Sequence, residues 1–175
     1  GVGKQRYLTK ITNASGFFNI SFNPSCSYSA AKQLWRGGIA DGCYTALNSS
    51  NFNVSVNANF NLSVLAPPAG TEVVRGENVT FRVNASDDCS APVSSAMLNL
   101  TAQQGATNRI CGTVQANGSG VYNCTQNTAG YATQFYNLSV SANKTFFSND
   151  SALFPNAFFV ETAPILNGSN VSKTL

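Results

Sequence analysis

Apolar and polar side chains alternate without a break along residues 51–64. Phe52, Val54, Val56, Ala58, Phe60, Leu62 and Val64 fall on one side, and Asn51, Asn53, Ser55, Asn57, Asn59, Asn61 and Ser63 on the other. A period of two is the mark of a half-buried β-strand. At ~3.3 Å per residue the stretch would span about 46 Å, longer than the usual strand of roughly 3–10 residues. It therefore predicts either a strand split by a bulge or bend, or one long strand running across two packing units.

The same period recurs elsewhere. Phe18, Ile20 and Phe22 alternate with Asn19, Ser21 and Asn23 and predict a strand over 17–23. Further strands are predicted near 72–75, 78–84 with Val79, Phe81 and Val83 inward, 94–101 with Leu98 and Leu100 inward, 109–115, 120–126, 133–141 with Phe135 or Tyr136, Leu138 and Val140 inward, and 157–162, separated by Gly, Pro, Asn and Asp. Residues 29–36 break the pattern and read as one short helix. Ser29 is its N-cap, Gly37 its stop, and Trp35 a core plug. Pro67-Pro68-Ala69-Gly70 marks a boundary. The expectation is an all-β protein. Several short strands with regular turns predict an antiparallel β-sandwich beyond residue 65, and residues 66–163, about 98 long, have the size of one immunoglobulin-like domain. Residues 1–65 form a smaller N-terminal β region with the short helix near 29–36 and the long strand 51–64, and 167–175 a C-terminal tail.

The polar half of this pattern is uncharged. Of 175 residues, 22 are Asn, 20 Ser and 14 Thr, whereas Lys and Arg total 10 and Asp and Glu 7. A net charge of +3, thinly scattered, excludes a nucleic-acid footprint. The absence of histidine removes the commonest acid–base group near neutral pH. No apolar run reaches the roughly 20 residues a membrane helix needs.

The asparagines are placed in a particular way. Fifteen sit in Asn-x-Ser/Thr with x other than Pro: Asn13, Asn19, Asn48, Asn53, Asn61, Asn78, Asn84, Asn99, Asn117, Asn123, Asn137, Asn143, Asn149, Asn167 and Asn170. Composition alone would yield about four such N-glycosylation acceptors. In the clearest strands the acceptors fall on the polar side, as a glycan requires. This density points to covalent N-linked glycans and an extracellular location at the cell surface.

Five cysteines fit that compartment; no spacing suits zinc, and His is absent. Asn117-Gly118 is a strong hairpin signal. With these two residues at the centre of the turn, Cys111 lies directly opposite Cys124 at a non-hydrogen-bonded pair, where strands approach closest. A disulfide is predicted there. Cys26 with Cys43 is the second predicted pair, and Cys89 is left free, bonded to another chain, or displacing one of these assignments.

Sites for chemistry are sparse. Asp87-Asp88 beside Cys89 offers Ca²⁺ ligands, but adjacent acids more often decorate a solvated turn. No spacing favours a carboxylate pair, and no His stands by for a Cys nucleophile. Lys144 is the nearest candidate for a Lys–Asn isopeptide. The expectation is no catalytic residue, no metal and no cofactor. Gly1–Arg6 lacks an apolar leader core and the C-terminus carries no anchor, which suits a mature chain or a piece of a longer one. The first ten residues, with Lys4, Arg6 and Lys10, read as an arm.

Three stretches, GENVTFRVNASDDCSAPVSSAMLNLT, CGTVQANGSGVYNCTQNTAGYATQFYNLSVSANK and NAFFVETAPIL, together resemble the immunoglobulin-like modules of large archaeal cell-surface glycoproteins. The resemblance covers roughly residues 66–166. It implies a structural or adhesive surface module and no catalytic residue. The resulting expectation is an extracellular structural subunit of a cell-surface filament, sheath or surface layer. Its partners would be copies of itself in a homopolymer, joined by β-strand pairing or strand addition, with residues 17–22 and 158–160 as candidate docking strands. The alternative is an adhesin or carbohydrate-binding module using the loop aromatics Tyr28, Tyr44 and Tyr131.

Overall fold

The computed structural model describes residues 8–39 and 41–163. Among these there are thirteen strands and no helix: β1 Ala31–Trp35, β2 Gly38–Ile39, β3 Leu47–Asn48, β4 Phe52–Val56, β5 Phe60–Ala66, β6 Thr71–Val74, β7 Asn78–Asp87, β8 Met97–Gln104, β9 Thr107–Ile110, β10 Gln115–Ala116, β11 Val121–Asn127, β12 Phe135–Asn143 and β13 Asp150–Glu161. Nine of them make two facing sheets, ordered β10-β11-β7-β5 and β6-β13-β12-β8-β9. All neighbours are antiparallel except β6 with β13. β5 and β6 are two halves of one edge, one in each sheet, joined at Pro67 and Pro68. This order is that of an immunoglobulin-like sandwich.

The core follows from the period-two pattern. Val79, Phe81, Val83 and Ala85 of β7 are buried, as are Leu98, Leu100 and Ala102 of β8 and Tyr136, Leu138, Val140 and Ala142 of β12. Each large apolar side chain removed from water contributes about 1.5–3 kcal/mol. Phe158 sits at the centre, with ring centroids 5.3 Å from Tyr136, 5.6 Å from Phe81 and 6.0 Å from Tyr131. The Tyr136 hydroxyl, near the start of β12, accepts the Ala132 N–H at 2.9 Å, the tyrosine corner of this fold. Leu138 stands two residues on, where antibody domains place a cysteine. Tyr122 does similar work on the loop after β7: its hydroxyl donates to Val93 O at 2.9 Å and accepts the Ala96 N–H at 2.8 Å.

The predicted helix at 29–36 is instead β1, paired with β4 in the register Ala31↔Val56, Gln33↔Val54, Trp35↔Phe52. A lone helix of two turns is unstable because nucleation is costly, whereas β4 supplies a ladder. Trp35 stacks on Phe52 at 4.8 Å and stays 54% exposed, so it is no core plug. The long alternating stretch is divided. β4 pairs with β1 outside the sandwich, Ala58 bridges to Phe147, and β5 joins the four-stranded sheet. The sandwich thus takes in Phe60–Ala66 rather than starting beyond them. Residues 17–23 form no strand.

Cys111 and Cys124 are bonded, with Cα atoms 6.3 Å apart, but not across a hairpin. The turn is longer than two residues: Gly118, Ser119 and Gly120 all have positive φ (78°, 48° and 75°), and Gln115 pairs with Asn123. Gly120 is required there, since a Cβ would collide with the Ala85 carbonyl. Cys111 lies just beyond β9, its N–H donating to Leu100 O at 2.8 Å, so the bond ties one sheet to the other.

Cys26 is bonded to Cys89, Cα to Cα 5.4 Å, not to Cys43, which is an exposed thiol. Sequence spacing ranks short loops first, whereas the fold brings together side chains 63 residues apart. Cys89 is presented by the turn after β7, where the Asp87 carboxylate accepts the N–H of Cys89 at 2.9 Å and of Ala91 at 2.7 Å.

Candidate assembly surface and glycan acceptors

The two parts of the chain bury their apolar residues very differently. Among the described residues, none before Val56 is buried. Twelve of the seventeen exposed large apolar side chains lie in 8–52, among them Ile11 at 93%, Phe17 at 72%, Leu34 at 68% and Leu47 at 69%. The reason is local. β1–β4 and β2–β3 are isolated two-stranded ladders, and two strands alone have no second layer to pack against. The Cys26–Cys89 bond fastens this region to the turn after β7, and Asp87 of that turn pairs with Phe60 at the start of β5.

The sheets end in unequal edges. β10 is two residues long, β9 carries Arg109, and β6 is four residues long with Glu72. The first half of β13, beyond the reach of β6, contains Asp150 and Pro155. Short strands, charges and proline are the usual defences of a sheet edge. β5 has none: it is seven residues of Phe-Asn-Leu-Ser-Val-Leu-Ala, paired on one side only, to β7. Leu62 and Val64 of β5 are partly buried against the core.

The broad faces are polar. Asn61, Asn78, Asn84 and Asn123 belong to the four-stranded sheet, and Asn99, Asn137 and Asn143 to the five-stranded one. Asn13, Asn19, Asn48, Asn53, Asn61, Asn78, Asn99, Asn117, Asn143 and Asn149 are exposed; Asn84, Asn123 and Asn137 are intermediate. Asn167 and Asn170 lie outside the described residues, as do Lys4 and Arg6 of the expected arm and the 167–175 tail. The acceptors differ in freedom. The Asn123 side-chain oxygen is buried without a partner. The hydroxyls of Thr80 and Thr125, third residues of the Asn78 and Asn123 triplets, bond each other at 2.8 Å. Asn127 donates to the Asn78 carbonyl at 3.0 Å and Asn143 to that of Asn149 at 2.6 Å.

The remaining candidates resolve into structural parts. Ligand atoms of Asp87, Asp88 and Cys89 lie within 4.8 Å of one another. The Cys89 sulfur, however, is taken by its disulfide, and Asp87 accepts the two turn N–H groups. Lys144 donates to Ser94 O at 2.6 Å, with its ammonium 5.5 Å from the centre of the Phe147 ring, which seats it as a clamp between loops. Tyr28 packs edge-on against Phe22 at 5.1 Å, and Tyr44 is exposed. Tyr131 is 3% exposed and belongs to the core, so it is lost to any loop platform.

Arg109 lies over the Tyr131 ring at 4.8 Å and donates to Gly130 O. Burial pushes the Tyr131 hydroxyl up to about 12 from 10.0, with Arg109 opposing and Tyr136 adding to the shift. The folded state therefore holds this proton more tightly than the unfolded chain. Its contribution to stability is complete below pH 10 and is lost as pH rises from 10 towards 12. Urea unfolding from pH 9 to 12 is expected to show that decline in the wild type and a shallower one in Tyr131→Phe.

No protein-family model matches the chain, and neither does any curated protein. Solved structures do. An endo-β-1,4-mannanase from Thermotoga petrophila is 12% identical over 59% of this chain and 20% of its own, with a TM-score of 0.43. Domains 4 and 5 of the S-layer protein SbsC are 22% identical over 67% of this chain and 65% of theirs, TM-score 0.38. A chimeric titin Z1Z2 is 14% identical over 63% of this chain and all of its own, TM-score 0.38. At these identities and scores the likenesses carry no argument about this chain's fold, role or activity.

Proposed function

We propose that this protein is an extracellular, N-glycosylated structural subunit that polymerises into a cell-surface filament, sheath or layer. One observation carries the reading: among the described residues, twelve large apolar side chains stand exposed over 8–52 and none before Val56 is buried. Large aromatic residues bury roughly 150–250 Å² each, so this set offers on the order of 1,000 Å². A specific interface needs about 800 Å² per partner, so the exposed apolar side chains of this region are enough to supply one side of such an interface. The broad faces of the sandwich are lined with glycan acceptors, so the occupant that fits is a second copy meeting the N-terminal region. Two disulfides suit the extracellular setting, and among the described residues no helix is long and apolar enough to cross a membrane.

Electron microscopy of material from the native source, with intact-mass and site-mapped mass spectrometry of the same sample, tests this. Ordered polymer and a mass above 18.4 kDa are expected; dispersed monomer at the peptide mass would sink the proposal. Among the acceptors, Asn13, Asn48 and Asn117 are expected to carry glycan and Asn123 to carry the least. Its amide oxygen is buried, its triplet hydroxyl is bonded to Thr80, and the residue between them is the disulfide-bonded Cys124. Occupancy at Asn123 equal to that at Asn117 would refute this ordering.

A further inference from the structure

One five-residue pattern occurs three times: Phe18-Asn19-Ile20-Ser21-Phe22, Phe52-Asn53-Val54-Ser55-Val56 and Phe60-Asn61-Leu62-Ser63-Val64. The second is β4 and the third opens β5. The first has the same binary pattern and no strand partner, and its Phe18, Ile20 and Phe22 are 49%, 40% and 42% exposed. We infer that residues 17–23 of one copy add as an extra strand to the open edge of β5 in a second copy. The inference rests on the proposed self-association and names its two surfaces.

The match is physical. A strand beside β5 must turn apolar residues to the core side and polar ones outward. Phe18, Ile20 and Phe22 then continue the row of Phe60, Leu62 and Val64, and Asn19, Ser21 and Asn23 continue the polar face of Asn61 and Ser63. The glycan acceptor Asn19 stays in solvent beside the acceptor Asn61. Neither segment carries a charge, so no ion is desolvated. β5 is the long edge that lacks charge, proline and shortness, and the added strand would cover Leu62 and Val64, which are only partly buried. Main-chain hydrogen bonds supply affinity and the alternating side chains set register. Each chain offers one donor and one acceptor on different surfaces, so the contact is heterologous and propagates into an open polymer.

The test uses the full oxidised chain in three forms: wild type, Ile20→Pro and Ile20→Asp. Residue 20 pairs with no strand and lies outside the sandwich core, so these changes leave the sandwich folded, which its circular dichroism checks. Sedimentation and electron microscopy are expected to show polymer for wild type and monomer for both variants. A synthetic peptide of residues 17–23 is added to the Ile20→Pro chain. It is expected to slow amide exchange across 60–66 by about tenfold or more, leaving β9 unchanged, and the same peptide carrying Ile20→Pro to do nothing. Polymerisation of Ile20→Pro as in wild type overturns the donor; protection on β9 or β13 in place of β5 overturns the acceptor. Protection of β5 in a wild-type monomer means the segment closes on its own chain and overturns the intermolecular step. A wild type that stays monomeric with no protection anywhere, with or without peptide, removes the self-association proposal itself.

Discussion

Phe81→Ala is expected to lower the unfolding free energy by about 3–5 kcal/mol, the usual cost of truncating a fully buried aromatic residue. Phe81 is 0% exposed and lies between Cys124 of β11, its cross-strand neighbour, and Phe158 of the facing sheet, ring to ring 5.6 Å. The alanine would leave a void that the flanking Val83 and Val79 cannot fill, because β7 holds them in register with Tyr122 and Gln126. Domains of this size are stable by only about 5–15 kcal/mol, so the variant forfeits a large share of that margin. Urea unfolding should show a lower midpoint with an unchanged slope. Thr80→Ala, one residue away on the outer face, loses the exposed hydroxyl contact to Thr125 and, with both chains compared without glycan because the change also removes the Asn78 acceptor, is expected to cost about 1 kcal/mol or less. Similar costs for the two variants would mean that the alternation of β7 does not set the core.

Removing the Cys26–Cys89 bond as the double variant Cys26→Ser/Cys89→Ser is expected to act in a different way. On the chain-entropy account a cross-link spanning 63 residues restrains the unfolded chain by about 4 kcal/mol. Here the native state is released as well, because no described residue ahead of Val56 is buried and only short ladders would remain to hold the region. The measured loss in the sandwich is therefore expected to fall below that figure, and the larger effect to appear in local opening. Limited proteolysis should cut within 27–55 at least about ten times faster than in the wild type and leave a resistant fragment starting near β5. Unchanged cleavage would show that the N-terminal region has packing of its own. Serine at both positions avoids an extra free thiol beside the exposed Cys43.

Much of the sandwich was legible in the chain. Strict alternation in β7, β8 and β12 identified buried Val79, Phe81, Val83, Leu98, Leu100, Leu138 and Val140, because period two has only one reading where one face meets a core. Residues 29–36 were misread for the opposite reason. Eight residues with no clear period carry little information, and their state is decided by the partner strand β4. The stretch 17–23 has a strand's pattern without a strand's neighbour, so its pattern was readable and its pairing was not. The triple recurrence of Phe-Asn-aliphatic-Ser-apolar was the signal in the sequence that would have tied 17–23 to β5.

The cysteines divide along the same line. The Cys111–Cys124 pairing was anticipated from a hairpin register that the fold does not adopt: the positive-φ run Gly118–Gly120 lengthens the turn, and the bond forms between sheets. Cys26 found Cys89 across 63 residues, a distance on which spacing has nothing to say.

By itself, then, the sequence determined composition and period: an uncharged polar face dense in glycan acceptors, an apolar face with strand spacing, and the class of fold these imply. Those are local properties, written in neighbouring residues. The tertiary structure alone decided which strands share a sheet, which cysteines meet, which edge stays open, and that none of the described apolar residues before Val56 is buried. Each of these depends on contacts between residues far apart in sequence, and such contacts arise only when the whole chain has closed.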